Sequence, residues 1–500
     1  MNIEAGLPEK LEWIRQSLGF FGPELVLFAG IIVVLCTGIV VPSLRAGSTS
    51  VAPLLIALIA TLVACALSLA DWGQQEKAVD LFGGMVVNDR FSSWFKIICD
   101  IAGALTLLLS WPASQRRKHV SEYAALVLSV VLGVHFLSMS VGMIMIFLSV
   151  ELISISSYVL AGYSFRQEGA EASLKYFLFG TAAAAIMLYG LSLLYGLTGS
   201  GIISSQEFVE GLLAHQSLLL LVAGLLALAG FLFKMAVLPM HLWAPDVYQA
   251  APMPVVALFS VVPKLAGLAV LTRFILAATA YGQSLIDWKA IIGLIAIITI
   301  TAGNVAALRQ WNAKRMMAYS SIAQSGFLLV GVVALTEQGI QFMMFYAAVY
   351  FVANYVVFAY LQYFESRGVL TIPDFAGTGR SDPAANTLLL VGLISLTGIP
   401  PTAGFTAKLL IFTGLYDAYR AVDDPFLLWI LIPGLLNTVI SLFFYLRIPY
   451  FAFLKEGEST PVKYLTWINF LGLVLVLVLL GLFFRPDLLM GWINKITFVL

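Results

Sequence analysis

Runs of about twenty apolar residues, separated by short polar joints, repeat along almost the whole chain. A lipid bilayer core about 30 Å thick needs roughly 20 apolar residues per helical crossing, so each run predicts one transmembrane helix. Because lipid offers no hydrogen-bond partners to a free backbone, and because the runs lack strict alternation, a membrane β-barrel is excluded. We therefore predict an all-α polytopic membrane protein with about fourteen transmembrane helices. The predicted spans are 20–41, 51–70, 90–110, 121–139, 141–163, 173–198, 216–243, 253–279, 286–308, 319–336, 339–364, 385–415, 426–451 and 464–484.

Two of the predicted helices carry internal prolines. The seventh reads FLFKMAVLPMHLWAPDVY and the twelfth reads LLLVGLISLTGIPPTAGFTAKLLIF. Because proline removes a backbone donor, we expect both helices to be interrupted near midplane, where free carbonyls are tolerated only beside protein or water-filled cavities. Interrupted helices five apart in order indicate two repeated halves. The predicted parts are helices 1 to 3 (1–112), helices 4 to 8 (113–282), helices 9 to 13 (283–452), and helix 14 with the tail (453–500).

Composition excludes several functions. The chain is 61% hydrophobic and 11% charged, whereas soluble domains are about one-quarter charged. Its net charge of +0 comes without long basic or acidic tracts, so nucleic-acid binding is not expected. Three cysteines lie in apolar runs without CxxC or Cys/His spacing, so we expect no metal ion or redox cofactor in this chain. Phosphate-binding and dinucleotide-binding motifs are missing, so the energy for transport would come from an ion gradient or from partner subunits.

Basic residues predict the orientation in the membrane. They concentrate in the loops on one side, whereas the opposite loops hold chiefly Lys77, Lys289 and Arg420. By the positive-inside rule the basic side faces the cytoplasm, and an even number of helices then places both chain ends on the outer side. We expect a bacterial inner membrane with both termini in the periplasm. The basic residues of the cytoplasmic loops are Arg45, Arg116, Arg117, Lys118, Arg166, Arg309, Lys314, Arg315, Arg367, Arg380, Lys455 and Lys463.

Four ionisable residues fall inside predicted spans and are candidates for a proton relay. An ionisable group at the bilayer centre costs at least about 2.5–3.5 kcal/mol, so each needs a partner, water or a function. Because the proton affinity of a buried lysine depends on how near a carboxylate lies, a change in the distance between a glutamate and a lysine would load or eject a proton. Ser154 and Tyr158 extend the polar face of the glutamate's helix. The four candidates are Glu151, Lys234, Lys264 and Lys408.

Simpler interpretations accompany these assignments. Glu151 and Lys234 could form a static ion pair that fixes helix packing. His241 could relay protons or could hydrogen-bond a carbonyl freed by a neighbouring proline. Lys175 could form an ordinary helix-surface pair with Glu171, four residues earlier.

Other charged residues are expected to be structural. Asp246 is expected to cap a helix or anchor a loop near the membrane edge. Asp100 and His135 are isolated ionisable residues inside the third and fourth spans. Glu24 and Arg273 lie near span ends, where side chains can reach the interface, and receive no role.

Five segments resemble the antiporter-like membrane subunits of respiratory complex I. They are FKMAVLPMHLWAPDVYQAAPMPV, VPK around Lys264, LSVELISISSY, KRMMAYSSIAQSGFLL and GIPPTAGFTAKLLIF, and the resemblance extends over about residues 20–485. Within this family, WAPDVYQAAP is similar to subunit N (subunit 2 in organelles) rather than to subunits L and M. A lysine at position 408 is also unlike subunit M, where the family usually has a glutamate.

The resemblance implies fourteen helices, two inverted five-helix repeats and a proton path along a central hydrophilic axis. In this path Glu151 and Lys234 would be the charge pair, Lys264 the central relay and Lys408 the outlet-side lysine. Lys175 and His241 would occupy auxiliary positions.

The resemblance also implies partners and a function. Electron transfer from NADH, or another donor, to quinone would occur in other subunits, which would hold the flavin and the iron–sulfur clusters. The expected partners are L- and M-like antiporter subunits and small J- and K-like subunits. The expected function is redox-driven proton translocation, and the alternative is a subunit of a related cation/proton antiporter or membrane-bound hydrogenase. A structural element that no longer pumps is a third hypothesis.

Overall fold

A computed structural model describes residues 7–40, 51–74, 77–114, 119–279, 286–457 and 466–496. In the first half the helices are α1 (Leu7–Gly19), α2 (Gly22–Val40), α3 (Ala52–Gln74), α4 (Arg90–Ser114), α5 (Val120–Met139), α6 (Met143–Ala161), α7 (Gln167–Thr198), α8 (Gln206–Ala214), α9 (Leu218–Met235), α10 (Ala244–Ala250) and α11 (Met253–Thr279). The second half contains α12 (Trp288–Leu308), α13 (Ala313–Val333), α14 (Glu337–Glu365), a 3-10 turn (Ile372–Phe375), α15 (Thr378–Ser381), α16 (Pro383–Thr397), α17 (Ala403–Val422), α18 (Pro425–Tyr445), α19 (Arg447–Leu454), α20 (Thr466–Phe484) and α21 (Asp487–Ile493). One antiparallel hairpin pairs β1 (Val79–Leu81) with β2 (Val86–Asn88).

The predicted fold class is confirmed. Within the described ranges, 13 helices are long and apolar enough to cross a membrane. The shorter α16 continues after a break into α17, and this interrupted pair supplies a fourteenth crossing. The protein is therefore a multi-pass helical membrane protein.

Both predicted helix interruptions are present, and local sequence explains them. The first follows α9, where Ala236 adopts a left-handed conformation with φ 54° and Pro239 prevents the helix from continuing. The second separates α16 from α17 at Gly398, whose φ of 86° suits glycine because it has no Cβ. Asp382 starts α16, since its carboxylate accepts the amide of Ala385 at 3.1 Å.

The centre of the bundle is formed by α11, α13 and α14. Buried residues make up 100%, 94% and 100% of their most apolar segments, compared with 28% for α2 and for α20. The outer helices instead expose large apolar side chains such as Phe28 and Phe470. These faces suit lipid or neighbouring subunits, because apolar surface is stable there without burial inside the chain.

The ends of the described chain lie on one face of the bundle, which we call the hairpin face because it carries β1 and β2. The amide of Phe82 in the hairpin donates to Ser17 Oγ at 3.2 Å, and Arg90 donates to the carbonyl of Lys495 at 2.9 Å. The opposite face, which we call the arginine face, carries the ends of α6, α13 and α14. Of the basic loop residues predicted there, Arg45, Arg116, Arg117, Lys118 and Lys463 lie outside the described residues.

Candidate functional site

At the first helix break, a side chain from another helix donates a hydrogen bond to the carbonyl that the proline leaves free. In an α-helix the amide of residue i donates to the carbonyl of residue i−4, so Pro239 leaves the Met235 carbonyl without its helical donor. The Ser325 hydroxyl on α13 donates to this carbonyl at 2.7 Å. The Trp243 indole donates to the carbonyl of Phe233 at 3.2 Å. Side chains of the bundle thus donate to both carbonyls.

The second break repeats this arrangement with different side chains. The Pro400–Pro401 pair removes the amide donors for the carbonyls of Leu396 and Thr397. Gln324 on α13 donates to the Leu396 carbonyl at 3.0 Å, and Lys408 Nζ donates to the Thr397 carbonyl at 2.7 Å. The predicted lysine of the twelfth helix is therefore held directly at the proline break.

Helix α13 connects the two breaks. Its neighbouring residues Gln324 and Ser325 donate to carbonyls of different breaks. Lys264, on α11, binds the same segment of α13. Lys264 Nζ donates to the Ser321 carbonyl at 2.7 Å and to Ser325 Oγ at 3.1 Å. The Ser321 hydroxyl lies 2.7 Å from the hydroxyl of Tyr350 on α14. Ser321 and Ser325 were not among the predicted relay residues, although their i, i+4 spacing in an apolar helix was a usable signal.

Lys234 is buried on α9 and interacts with α6 through a hydroxyl. Only 1% of Lys234 is exposed, and its Nζ donates to Ser154 Oγ at 2.5 Å. Ser154 lies one helical turn after the half-buried Glu151 and donates to the Val150 carbonyl at 2.7 Å. Within the described residues no direct ion pair joins Glu151 to Lys234, and the hydrogen bond from Lys234 to this helix goes to Ser154 instead.

Together these residues form a polar row inside the bundle, which we call the lysine axis. Among the described residues no hydrogen bond joins Glu151 to Ser154 or Lys264 to Gln324, so the row is not an unbroken hydrogen-bonded chain. All three of its lysines are at most 4% exposed, and Lys408 Nζ also lies 4.6 Å from the centre of the Phe327 ring. Carbonyl groups accept hydrogen bonds but have no proton to pass on, so transfer along the axis requires rotating hydroxyls or intervening water. The members of the axis are Glu151, Ser154, Lys234, Ser325, Lys264, Ser321, Gln324 and Lys408.

Lys175 lies away from this axis in a partly exposed ion-pair cluster. Its Nζ is 2.8 Å from Glu171, as the helix-surface interpretation predicts, and 3.2 Å from Asp246. Asp246 also lies 2.7 Å from Arg315. Partial burial raises the pKa of Asp246, but the hydrogen bonds from Arg315 and Lys175 outweigh it, so its pKa is below the ordinary value. This cluster ties α7 and α13 to α10.

Two other residues differ in surroundings from the axis lysines. His241 is half-buried in the first break, and its buried Nδ1 has no hydrogen-bond partner among the described residues. Arg273 is largely buried beside the residue that joins β2 to α4. It forms an ion pair with Asp89 at 2.8 Å and donates to the Ser138 carbonyl at 3.0 Å.

A cavity of about 1050 Å³ opens at the arginine face. Lys314 and Glu365 line it, and their charged groups lie 2.6 Å apart. Lys314 also donates to the carbonyl of Ala251, just before α11 begins. Water in this cavity would thus reach the ends of α11 and α13, the helices that carry Lys264 and its partners.

Asp100 and His135 are not isolated as expected, and the Glu24 side chain is buried rather than extended to the interface. All three join Lys96 in one buried cluster. Glu24 Oε1 lies 2.8 Å from Lys96 Nζ and 3.0 Å from His135 Nδ1, and His135 Nε2 lies 3.0 Å from Asp100. The i, i+4 spacing of Lys96 and Asp100 was the available sequence signal.

Comparison with known proteins finds a matching family and similar chains. Residues 140–436 match the family described as NADH:quinone oxidoreductase/Mrp antiporter, TM. NADH-quinone oxidoreductase subunit N of Chlorobium chlorochromatii is 35% identical, over 95% of this chain and 94% of that protein. NADH-quinone oxidoreductase subunit N 2 of Sorangium cellulosum is 37% identical, over 94% of this chain and 96% of that protein.

Chains in two solved structures have a similar fold. A chain of respiratory complex I from Thermus thermophilus with bound aureothin superposes with a TM-score of 0.77 at 28% identity, covering 95% of this chain and 100% of that one. A chain of the Mrp complex from Dietzia sp. has a TM-score of 0.82 at 20% identity over 95% of this chain and 96% of its own, a likeness of fold. Because the family match spans more than half of the chain and the subunit N relatives extend over nearly all of it, this chain belongs to the NADH:quinone oxidoreductase/Mrp antiporter transmembrane family.

Proposed function

We propose that this chain is the subunit N of a complex I type NADH:quinone oxidoreductase and that it translocates protons along the lysine axis. The observation that carries the proposal is the placement of the three buried lysines. Lys234 and Lys408 lie at the two helix breaks, and Lys264 binds the segment of α13 that contacts both breaks. Three buried lysines in one line exceed what helix packing requires, because each carries a cost of burial.

Each buried residue has a distinct part in the proposed transfer. Glu151 supplies a negative charge on the helix that Lys234 contacts, and Ser154, one turn further along, receives the lysine's hydrogen bond. Lys264 is the proposed exchange point between the two halves, since its partner Ser325 contacts the first break and the neighbouring Gln324 contacts the second. Lys408 takes or gives the proton at the second break. Moving one proton against 100 mV costs about 2.3 kcal/mol, which is similar to making or breaking one hydrogen bond to a charged group, about 1.5–3 kcal/mol.

The two five-helix repeats, residues 113–282 and 283–452, are the proposed transport units. Each contains one interrupted helix, and the break in each is closed by α13. This supports a pair of half-paths that meet at Lys264. The cavity at the arginine face is the proposed inlet for water and protons.

The arginine face is the proposed cytoplasmic face. Its described loops hold Arg166, Arg309, Arg367, Arg380 and Lys455, in keeping with the positive-inside rule. The hairpin face, with both ends of the described chain, would then be periplasmic in a bacterial inner membrane.

The proposed partners supply the chemistry that this chain lacks. Electrons would pass from NADH or another donor through flavin and iron–sulfur clusters to quinone in other subunits. L- and M-like antiporter subunits and small J- and K-like subunits would pack against the exposed apolar helices. This chain itself would bind no cofactor, and within the described residues no group of histidine, cysteine and acidic side chains could hold a metal ion.

The test measures proton uptake linked to quinone reduction in inverted vesicles that carry the whole assembly. Lys234→Ala and Lys408→Ala are compared with wild type at matched assembly, and Lys455→Ala serves as control because Lys455 is exposed. The proposal expects both axis variants to lose most proton uptake and the control to keep it. Wild-type uptake in both axis variants would instead assign these lysines to packing.

An arginine substitution separates a relay from a static ion pair. Arginine keeps the positive charge but does not release its proton at any accessible pH. Lys234→Arg is therefore expected to assemble and yet to lose proton uptake. Normal uptake in Lys234→Arg would mean that only the fixed charge matters.

An antiporter of the Mrp type is the second candidate, because that complex shares the fold. The sequence favours the first candidate, since subunit N relatives are more similar over the full length. Purification of the native assembly distinguishes the two: quinone-reductase activity that copurifies with this chain supports the first, and a sodium–proton exchange activity without redox subunits supports the second.

A further inference from the structure

A second group of buried charges lies in the N-terminal helices, apart from the lysine axis. Glu24 belongs to α2, Lys96 and Asp100 to α4, and His135 to α5. All four side chains are at most 1% exposed. Burial of four ionisable groups is costly, and neither the lysine axis nor the cavity at the arginine face uses them.

The geometry of His135 fixes how many protons this cluster holds. A neutral imidazole donates through one nitrogen and accepts through the other, whereas an ionised carboxylate only accepts. Both nitrogens of His135 lie 3.0 Å from a carboxylate oxygen, one of Glu24 and one of Asp100. Both contacts are favourable only if the imidazole and the two carboxylates together carry one additional proton. With Lys96 charged, that proton makes the cluster electrically neutral, and its loss leaves one unbalanced negative charge.

One end of the cluster approaches the hairpin face. Glu24 lies in the first turn of α2, and Lys96 Nζ is 3.4 Å from Oδ1 of Asn88 in β2. Oε2 of Glu24 is buried without a hydrogen-bond partner among the described residues, and so is Nδ2 of Asn88. These two atoms offer an acceptor and a donor to a water molecule arriving from this face.

The other end stops inside the membrane. Asp100 lies ten residues into α4, about 15 Å along the helix and near the middle of a 30 Å core. Its second oxygen is 3.5 Å from Ser68 Oγ on α3. The next polar side chain along α4 is Thr106, which pairs with Tyr355 at 2.8 Å. In the described part of the chain no hydrogen bond continues from Asp100 to the lysine axis.

We propose that Glu24, Lys96, Asp100 and His135 form a second proton-binding site, which takes up and releases one proton through the hairpin face. The proton passes between the two carboxylates across the imidazole, which accepts it at one nitrogen as it donates from the other. The positive charge of Lys96, which pairs with Glu24, balances the remaining negative charge of the cluster. Other titratable or charged groups on the elements packed around the site are Cys65 and Asp71 on α3, Cys99 on α4, Glu151 on α6, and the ion pair of Asp89 with Arg273.

The test follows the proton by infrared difference spectroscopy of the purified whole assembly as pH is changed. His135→Gln is expected to remove one reversible protonation per assembly, seen as loss of imidazole and carboxyl bands. His119→Gln is the matched control, because His119 is exposed and its imidazole lies 3.2 Å from Glu122, three residues later. Identical spectra for wild type and His135→Gln at matched assembly would overturn the proposal.

A charge-balanced variant keeps the test valid if His135→Gln fails to assemble. Asp100→Asn combined with His135→Gln leaves the neutral ion pair of Glu24 with Lys96, so assembly is expected to survive while the same bands disappear. Retention of the bands in this double variant would show that they arise elsewhere and would refute the site.

Two further measurements set this proposal apart from the function of the axis. The Lys234→Ala assembly is expected to keep the bands whether or not it pumps, since no hydrogen bond between described residues joins the two sites. In sealed proteoliposomes, a rapid pH change on the hairpin side is expected to produce the bands at once. A response to the opposite side alone would contradict the proposed access.

Discussion

Ser154→Ala tests whether the hydrogen bond from Lys234 to α6 is part of the proton path. The substitution removes a single oxygen, the one that accepts the hydrogen bond from Lys234 Nζ at 2.5 Å. A hydrogen bond to a charged group contributes about 1.5–3 kcal/mol, and each 1.36 kcal/mol of barrier changes a rate about tenfold. Proton transfer between α6 and α9 is therefore expected to slow by about ten- to a hundredfold.

Ser149→Ala is a closely matched control on the same helix. Both serines are 1% exposed, and each hydroxyl donates to the carbonyl four residues earlier at 2.7 Å. The two substitutions thus cost the helix the same contact, and only Ser154→Ala also removes the contact with Lys234. Proton uptake by inverted vesicles is measured together with quinone reduction, at equal amounts of assembled protein. Equal proton uptake in the two variants would refute a role for the hydroxyl.

Three other predictions rest on different contacts. Lys264→Met is expected to keep assembly and abolish proton uptake, because an apolar side chain of similar length fills the buried site but carries no proton. Asp246→Asn is expected to lower stability by about 1 kcal/mol at neutral pH, since it weakens the ion pair with Arg315. Because the pKa of Asp246 is below its ordinary value, this contribution is present above about pH 4 and is lost as pH falls further, which thermal unfolding at several pH values measures. Gly404→Ala is expected to cost about 1–3 kcal/mol, because its Cβ would lie 1.7 Å from the Ser395 carbonyl, and a lower melting temperature would report it.

A specific result would contradict each of these three predictions. Wild-type uptake in Lys264→Met would remove Lys264 from the path. A stability difference for Asp246→Asn that persists unchanged in acid would mean that its charge is not the cause. Gly196→Ala is the control for Gly404→Ala, since no atom lies within 4 Å of its added Cβ. Equal melting temperatures for the two glycine variants would contradict the close packing of α17 on α16.

The sequence by itself determined the fold class and the interrupted helices. Apolar length fixes membrane crossing because lipid cannot satisfy a free backbone, and this holds whatever the helices pack against. The Pro400–Pro401 pair and Pro239 remove specific amide donors, a local property that no tertiary contact can restore. Lys234, Lys264 and Lys408 were found for the same reason, since a charge in an apolar run stands out along the chain.

Only the tertiary structure decided which side chains meet. The donor to the freed Met235 carbonyl is Ser325, 90 residues along the chain, and helical periodicity does not encode a partner on another helix. His135 illustrates the same limit. Alone in its span it looked structural, but packing of α2, α4 and α5 places it between two carboxylates, because a buried charge is stable only where a partner from elsewhere in the chain is brought to it.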